Sequence, residues 1–264
     1  FVCSLWIFGG NIIAGAQTGA ALNFDGVNDY VVVPHNPTLN FTSNFTISMW
    51  FKANSNSQTQ KYLMSKGNSY AIIYEFVDNQ VEFSSTAFTG DDPRTNSQMP
   101  LTDVLWHHIT YTYDGATLKG YMDGIQVVSQ PKVFTLTTNG LDLYLGSANP
   151  AGNYAGGSFD EFRIWNRALT PAEIRNSMSC GIPTTDTGLR INYRFNQGTA
   201  GGNNAAITSL TDASGNNYHG TLTNFALTGF TSNWVSPGAQ IEINVLGNLT
   251  NIADGDNSPS ATDH

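Results

Sequence analysis

Between residues 20 and 165 the chain repeats one pattern. Short runs of alternating or continuously apolar residues are separated by clusters of Gly, Asn, Asp and Ser. The runs fall at 20–24, 30–34, 45–52, 61–65, 70–76, 80–84, 106–113, 117–122, 125–129, 141–146 and 159–165. They are rich in Val, Ile, Tyr, Phe, Trp and Thr, side chains that suit a pleated, partly buried surface, so each run predicts a strand. Asp123-Gly124 stands between YM and IQVV and predicts a two-residue hairpin, because a type I′ turn needs positive φ at both central residues. Asp114-Gly115 begins a slightly longer turn. Hairpins at this spacing predict an all-β, two-sheet antiparallel sandwich.

A single short helix is predicted in LTPAEIRNSM. Thr170 serves as N-cap, Pro171 fits the first helical position and Glu173 completes a capping box. Ile174 and Met178 are four residues apart and so share one face that can dock on the sandwich.

The ends differ from the middle. Residues 1–16, FVCSLWIFGGNIIAGA, are apolar and finish in Ala14-Gly15-Ala16, the apolar region and small-residue cleavage site expected of a secretory signal peptide whose basic start is missing. A buried N-terminal strand is the competing reading of this segment. Cleavage would leave Gln17 first and place residues 17–180 as the main domain, outside the cytoplasm. Residues 181–236 contain further strand-like stretches, LRINYRF, ITSLTDASGNNYHGTLTNF and TSNWV, which either complete the sandwich or begin another. At Pro237-Gly238 the chain breaks again, and 237–264 reads as an orphan strand and loop that should lack stable contacts.

Composition narrows the function. Charged residues make up 12% of the 264 and aromatic residues another 12%, too hydrophobic a mix for disorder. The formal net charge of −9 argues against nucleic acid or anionic membranes as partners and tolerates a bound cation. No run after the N-terminal segment is long enough to insert in a membrane as a helix. Of the two cysteines, Cys3 lies in the apolar leader, leaving Cys180 without a partner as a small buried hydrophobe.

One stretch crowds oxygen ligands at the entrance to a strand: Asp25, Asn28 and Asp29 in FDGVNDYVVVP, ahead of the buried run Tyr30–Pro34. Taken alone, Asp25-Gly26 and Asn28-Asp29 make a turn, since Asx side chains cap their own backbone. The ordered set ALNFDGVNDYVVVP, FTISMWFKA, LWHHITYTYDGATLKGYMDGIQVV, LYLGSAN and GGSFDEFRIWNRALTPAEI resembles the laminin-G-like, concanavalin-A-like jelly roll of bacterial secreted multidomain proteins over residues 19–180. The tail IEINVLGNLTNIADGDNSPSATDH is similar to the opening of choice-of-anchor-type Ig-like repeats. The resemblance implies a jelly-roll sandwich secreted or held at a cell surface, part of a larger chain. It also implies a structural Ca2+ where the first strand meets the last, with Asp25, Asn28, Asp29 and Asp160 among the six to eight oxygens such an ion needs. Asp254-x-Asp256-x-Ser258 does not make an EF-hand, because Pro259 stands where that loop needs Gly.

Catalysis is not expected. Jelly-roll glucanases carry E-x-D-x-x-E on one strand, whereas the nearest stretch here, Glu75 to Glu82, has another spacing and a turn at Asp78-Asn79. Asp160 and Glu161 are adjacent, so strand alternation sends them to opposite faces. By the same rule His107 and His108 diverge and read as structural rather than as a zinc pair. Trp50, Trp106 and Trp165 read as core. Glycan contacts are sought on two loops, 88–98 with Asp91, Asp92 and Arg94, and 149–157 with Tyr154, because sugar recognition wants an exposed aromatic beside a few polar groups. The reading is a non-catalytic extracellular module that binds carbohydrate or another extracellular polymer. A glycoside-hydrolase-like jelly roll and a structural spacer are the alternatives.

Overall fold

The computed structural model describes residues 19–54, 60–75, 78–86, 97–148, 152–179 and 182–239, together with the backbone of short strands at 5–8, 11–14 and 241–243. In chain order the strands are β1 (Leu5–Phe8), β2 (Asn11–Ala14), β3 (Ala21–Asp25), β4 (Tyr30–Val33), β5 (Asn44–Ala53), β6 (Lys61–Ser65), β7 (Ala71–Glu75), β8 (Gln80–Ser84), β9 (Met99–Pro100) and β10 (His107–Asp114). They continue with β11 (Thr117–Met122), β12 (Ile125–Pro131), β13 (Leu143–Leu145), β14 (Gly156–Trp165), β15 (Leu189–Tyr193), β16 (Ser209–Leu210), β17 (Gly220–Thr223), β18 (Trp234–Val235) and β19 (Ile241–Ile243), with helix α1 (Pro171–Ser179) after β14.

Two antiparallel sheets make a jelly-roll sandwich. The first runs β12-β11-β10-β5-β14-β3-β18, with β15 also paired to β14; the second runs β16-β17-β4-β13-β6-β7-β8-β9. Strands β1, β2 and β19 form a separate three-stranded sheet. The alternation seen in the sequence sets the packing. On β5, Phe45, Ile47, Met49 and Phe51 face the second sheet and are fully buried in the main core. Val31 and Val33 on β4 and Leu143 and Leu145 on β13 meet them from the other side. The expected hairpin at Asp123-Gly124 forms, with φ of 52° and 75°, and pairs Met122 with Ile125.

Residues 189–235 complete this sandwich rather than begin another. β15 pairs with β14 and β18 with β3 in the first sheet, while β17 pairs with β4 in the second. The expected break at 237 is also corrected for the residues described there. Gly238 N donates to Gly19 O (3.0 Å), and Ala239, 1% exposed, donates its N–H to Asp160 Oδ2 (2.9 Å). Residues 244–264, including Asp254, lie outside the described residues.

The outer face of the first sheet is covered too, and α1 is its roof. Thr170 N donates to Glu173 Oε2 (2.7 Å) and Glu173 N donates back to Thr170 Oγ1 (3.3 Å), so the capping box forms. Ile174 packs with Trp165, Leu169, Ile182, Leu189 and Tyr121, while Met178 packs with Trp50 and Ala239. Carbonyls at the helix C-terminus, which have no partner within the helix, are met from the sheet below: Arg163 Nη1 donates to Ser177 O (2.8 Å) and Trp50 Nε1 to Met178 O (3.3 Å). Trp50 and Trp165 are therefore buried under the helix, not between the sheets, and Trp106 is only half-buried beside Trp50.

Candidate functional site

The Asp25–Asp29 segment closes on itself. Asp25 Oδ1 accepts from Val27 N (2.8 Å) and Asn28 N (3.2 Å), and Gly26 takes φ of 77°. Asp29, fully buried, accepts from Asp25 N (2.9 Å) through Oδ2 and from Ser232 Oγ (2.9 Å) through Oδ1. Burial pushes the Asp29 carboxyl up to about 6, against the lowering effect of those two donors. The Asn28 carbonyl accepts from Asn224 Nδ2 (3.0 Å).

Asp160 is elsewhere. Asp25 pairs with Gly156, so Asp160 sits four residues further along β14, about 13 Å away at 3.3 Å per residue. Its two oxygens accept from Glu161 N (2.9 Å) and Ala239 N (2.9 Å). One calcium ion shared by Asp25 and Asp160 does not fit this arrangement, because the pairing register holds the carboxylates apart and backbone N–H groups donate to each of them. Among the described residues no three His, Cys, Asp or Glu side chains are grouped to hold a metal.

Of the loop candidates, Asp91, Asp92 and Arg94 lie outside the described residues. Tyr154 is described, and it has company. Its ring centroid is 6.1 Å from that of Tyr30, which lies 5.6 Å from that of Tyr144 at an interplanar angle of 21°. All three rings are half-buried. Alternation explains the grouping. Val31, Val33, Leu143 and Leu145 turn inward, so Tyr30 and Tyr144 turn outward on neighbouring strands. The loop carrying Tyr154 is pinned beside them: Tyr62 N donates to Asn153 O (3.0 Å), and Ala155 N to Gly146 O (2.9 Å). Thr221 and Thr223 on β17 lie opposite Val32 and Tyr30 and add hydroxyls to the same face. Burial, with Asp142 and Tyr30 nearby, pushes the Tyr144 phenol up, so it stays an O–H donor. Loop position and residue type point to Tyr154 but not to Tyr30 or Tyr144, which lie within strands. The signal was there: each is the one aromatic out of phase with flanking aliphatics that point to the core.

The carboxylates and histidines behave differently from strict alternation. A bulge between Asp160 and Arg163 gives Glu161 a φ of 49°, and three steps on β14 match two on β5. Asp160 and Glu161 therefore both reach the roof side, where Glu161 pairs with Arg163; they do not diverge. Burial raises both carboxyls, that of Asp160 well above the ordinary range. Glu75 pairs with Gln80 and Glu82 with Ile73, which puts the two glutamates on one face as diagonal neighbours, about 7 Å apart at their β-carbons. The hairpin turn, which argued against a pair, is what creates it, but Glu82 is only 2% exposed.

His107 and His108 do diverge. His108 is fully buried and held neutral, its pKa lowered to about 3 by burial and the nearby Arg163. His107 Nδ1 meets Asp123 Oδ2 (2.8 Å) and its Nε2 meets Asp103 Oδ1 (3.0 Å). The Asp123 hydrogen bond, with help from Asp103, raises its pKa to about 9 against the opposing effect of burial. A raised pKa stabilises the fold fully below the unfolded value near 6.5 and loses that contribution as pH rises through about 9. The melting temperature is expected to fall more steeply between neutral and alkaline pH in wild type than in His107→Gln, as read by thermal scans across that range; parallel curves would show that the clamp contributes nothing.

Comparison with known proteins agrees with this architecture. Residues 25–175 match the Laminin_G_3 family model, described as the Concanavalin A-like lectin/glucanases superfamily. An 82-residue segment is 39% identical to the human adhesion G-protein coupled receptor D1, covering 29% of this chain and 9% of the receptor. A Bacteroides ovatus protein, described as a candidate carbohydrate-binding protein, superposes with a TM-score of 0.63 at 19% identity over 79% of this chain and 59% of its own. Domain 4 of the extracellular arabinanase AbnA from Geobacillus stearothermophilus, solved with arabinotriose, gives a TM-score of 0.47 at 21% identity over 64% of this chain and 82% of that domain. The chain thus spans 59% of the length of the Bacteroides protein.

Proposed function

We propose that this chain, which belongs to the concanavalin A-like lectin/glucanases superfamily, is a non-catalytic carbohydrate-binding module that holds its ligand on the Tyr30, Tyr144 and Tyr154 platform. The clustering of three half-buried rings on the outer face of the second sheet carries the reading. An aromatic face offers apolar contact to the C–H face of a sugar ring, while the phenol hydroxyls and the threonines at 221 and 223 bond its hydroxyls. The fold of the Bacteroides ovatus protein and its description support the ligand class. Adhesion to an extracellular or cell-surface polymer is the natural use of such a module. Among the described residues no helix is long and apolar enough to cross a membrane.

Calorimetric titration with neutral gluco-, galacto- and arabino-oligosaccharides tests this reading. Tyr144→Ala and Tyr154→Ala are each expected to weaken binding about tenfold, since one ring contact is worth about 0.5–1.5 kcal/mol beyond the area it covers. Melting temperatures should stay near wild type because neither ring is in the core. A double variant that binds like wild type would remove the platform from the reading, and wild type that binds none of the panel would leave the spacer.

Glycoside hydrolysis is the second reading, and the Glu75–Glu82 pair on the same outer face favours it. Its signature is release of reducing ends that stops in Glu75→Gln or Glu82→Gln.

A further inference from the structure

A cleft of about 310 Å³ opens where the 3-10 turn Pro37–Leu39, the loop into β5 and the chain at Asn166 and Arg190 meet. None of the platform tyrosines lines it. Apart from the ring of Phe41, its walls are hydroxyls and amides, among them Thr38, Ser43, Asn44 and Asn166, around a single cationic side chain, Arg190. They are built on fixed backbone. Asn36 Oδ1 accepts from Thr38 N (3.0 Å), Asn40 Nδ2 donates to Asn139 O (3.0 Å), and Asn44 is in register with Asp114 across β5 and β10. The Arg190 carbonyl accepts from Ser214 Oγ (2.9 Å) and Asn216 Nδ2 (3.0 Å), which fixes the backbone that carries the guanidinium.

Arg190 differs from Arg163 and Arg167 in charge pairing. Arg163 is paired with Glu161, and Arg167 with Glu173 and Asp186. Among the described residues no carboxylate lies within ion-pair distance of Arg190, although the chain carries a net charge of −9. In the amide orientation that satisfies Asn166, its nitrogen donates to Gly188 O (3.1 Å) and its oxygen accepts from Arg190 Nη2 (2.6 Å). Arg190 Nε is buried without a hydrogen-bond partner. A half-buried guanidinium is thus aimed by a neutral amide and left without a counter-charge, an unfavourable arrangement unless an anion supplies it.

We propose that this cleft is a second ligand site, separate from the tyrosine platform, for a sugar unit bearing one anionic group, a carboxylate or a sulfate ester. The anionic group pairs with Arg190. The sugar hydroxyls exchange hydrogen bonds with Ser43, Asn44 and Asn166.

The test is an amide NMR titration of the full chain with galacturonic acid, galactose 6-sulfate and galactose. A charged sugar should shift Ser43, Asn44 and Asn166, with galactose at least about tenfold weaker, and added salt should weaken the charged ligand. Response to the carboxylate alone, the sulfate alone or both identifies the anion source, and each supports the site. Arg190→Gln should lose at least about tenfold in affinity. Because Arg190 is half-buried, Ser43→Glu at an exposed wall position is the second variant, and it should abolish charged-sugar binding by repulsion. The Tyr144→Ala/Tyr154→Ala double variant should leave this binding unchanged, so failure here and failure of the platform are told apart. Equal binding of galactose and galacturonic acid, full affinity in both cleft variants, or no shifts with any of the three sugars would overturn the proposal.

Discussion

Replacing Trp234 with alanine is expected to lower the melting temperature by about 6–20 °C. Trp234 is fully buried in the main core and pairs with Leu22 at the edge of the first sheet. Its indole Nε1 donates to Phe195 O (2.6 Å), and Gly198 lies flat on the ring; a Cβ there would sit 2.2 Å from Cδ2. Emptying such a site costs about 3–5 kcal/mol, and a domain of this size loses roughly 2–4 °C per kcal/mol. The cost includes leaving the Phe195 carbonyl without its donor. The measurement separates two views of residues 189–235. If they complete the sandwich, the whole chain melts in one transition at lower temperature. A shift of only a degree or two would mean that β18 is an ornament on a sandwich that is stable without it.

Arg163→Met should cost about 3–5 kcal/mol, because it strands a buried carboxylate. The guanidinium is 1% exposed and serves three partners at once: Glu161, Asn192 Oδ1 (3.2 Å) and Ser177 O (2.8 Å). Removing it leaves Glu161 charged in a layer that already raises its pKa through burial, and it uncaps α1. Adding Glu161→Gln to the same chain is expected to recover much of the loss, since the uncompensated charge is the dominant cost. Denaturant melts of the two single variants and the double variant give the coupling directly. Hydrogen exchange over 171–179 should rise in Arg163→Met, where the roof is loosened. Additive single effects would show that the pair is not coupled and that packing alone explains the loss.

Local signals in the sequence determined where the strands lie and how they turn. Runs such as FTISMWFK and HHITYTY alternate with period two, and this alternation is what a strand with one face toward a core requires, so β5 and β10 sit within a residue or so of the expected runs. Asp123-Gly124 and the Thr170–Glu173 box worked for the same reason: each is a backbone constraint met by residues close in sequence. The resemblance of the motifs to a known family then supplied the jelly-roll sandwich as the fold, while the order of strands in each sheet came from the structure.

Only the tertiary structure decided what meets what. The family resemblance implied that Asp25 and Asp160 share a site where the first strand meets the last, yet register is a long-range choice and sets Asp25 against Gly156. One bulge residue, Glu161, reversed the expected faces of an adjacent carboxylate pair, and nothing in SFDEF announces it. Trp50 and Trp165 read as core because alternation reports burial without saying which of two layers does the burying. Tyr30 lies more than a hundred residues before Tyr144 and Tyr154, and the three converge only because β4 pairs with β13 and the loop before β14 is pinned to β6. Period two fixes a side chain's face within its own strand. Pairing between strands fixes its neighbours, and that depends on the whole chain closing into two sheets.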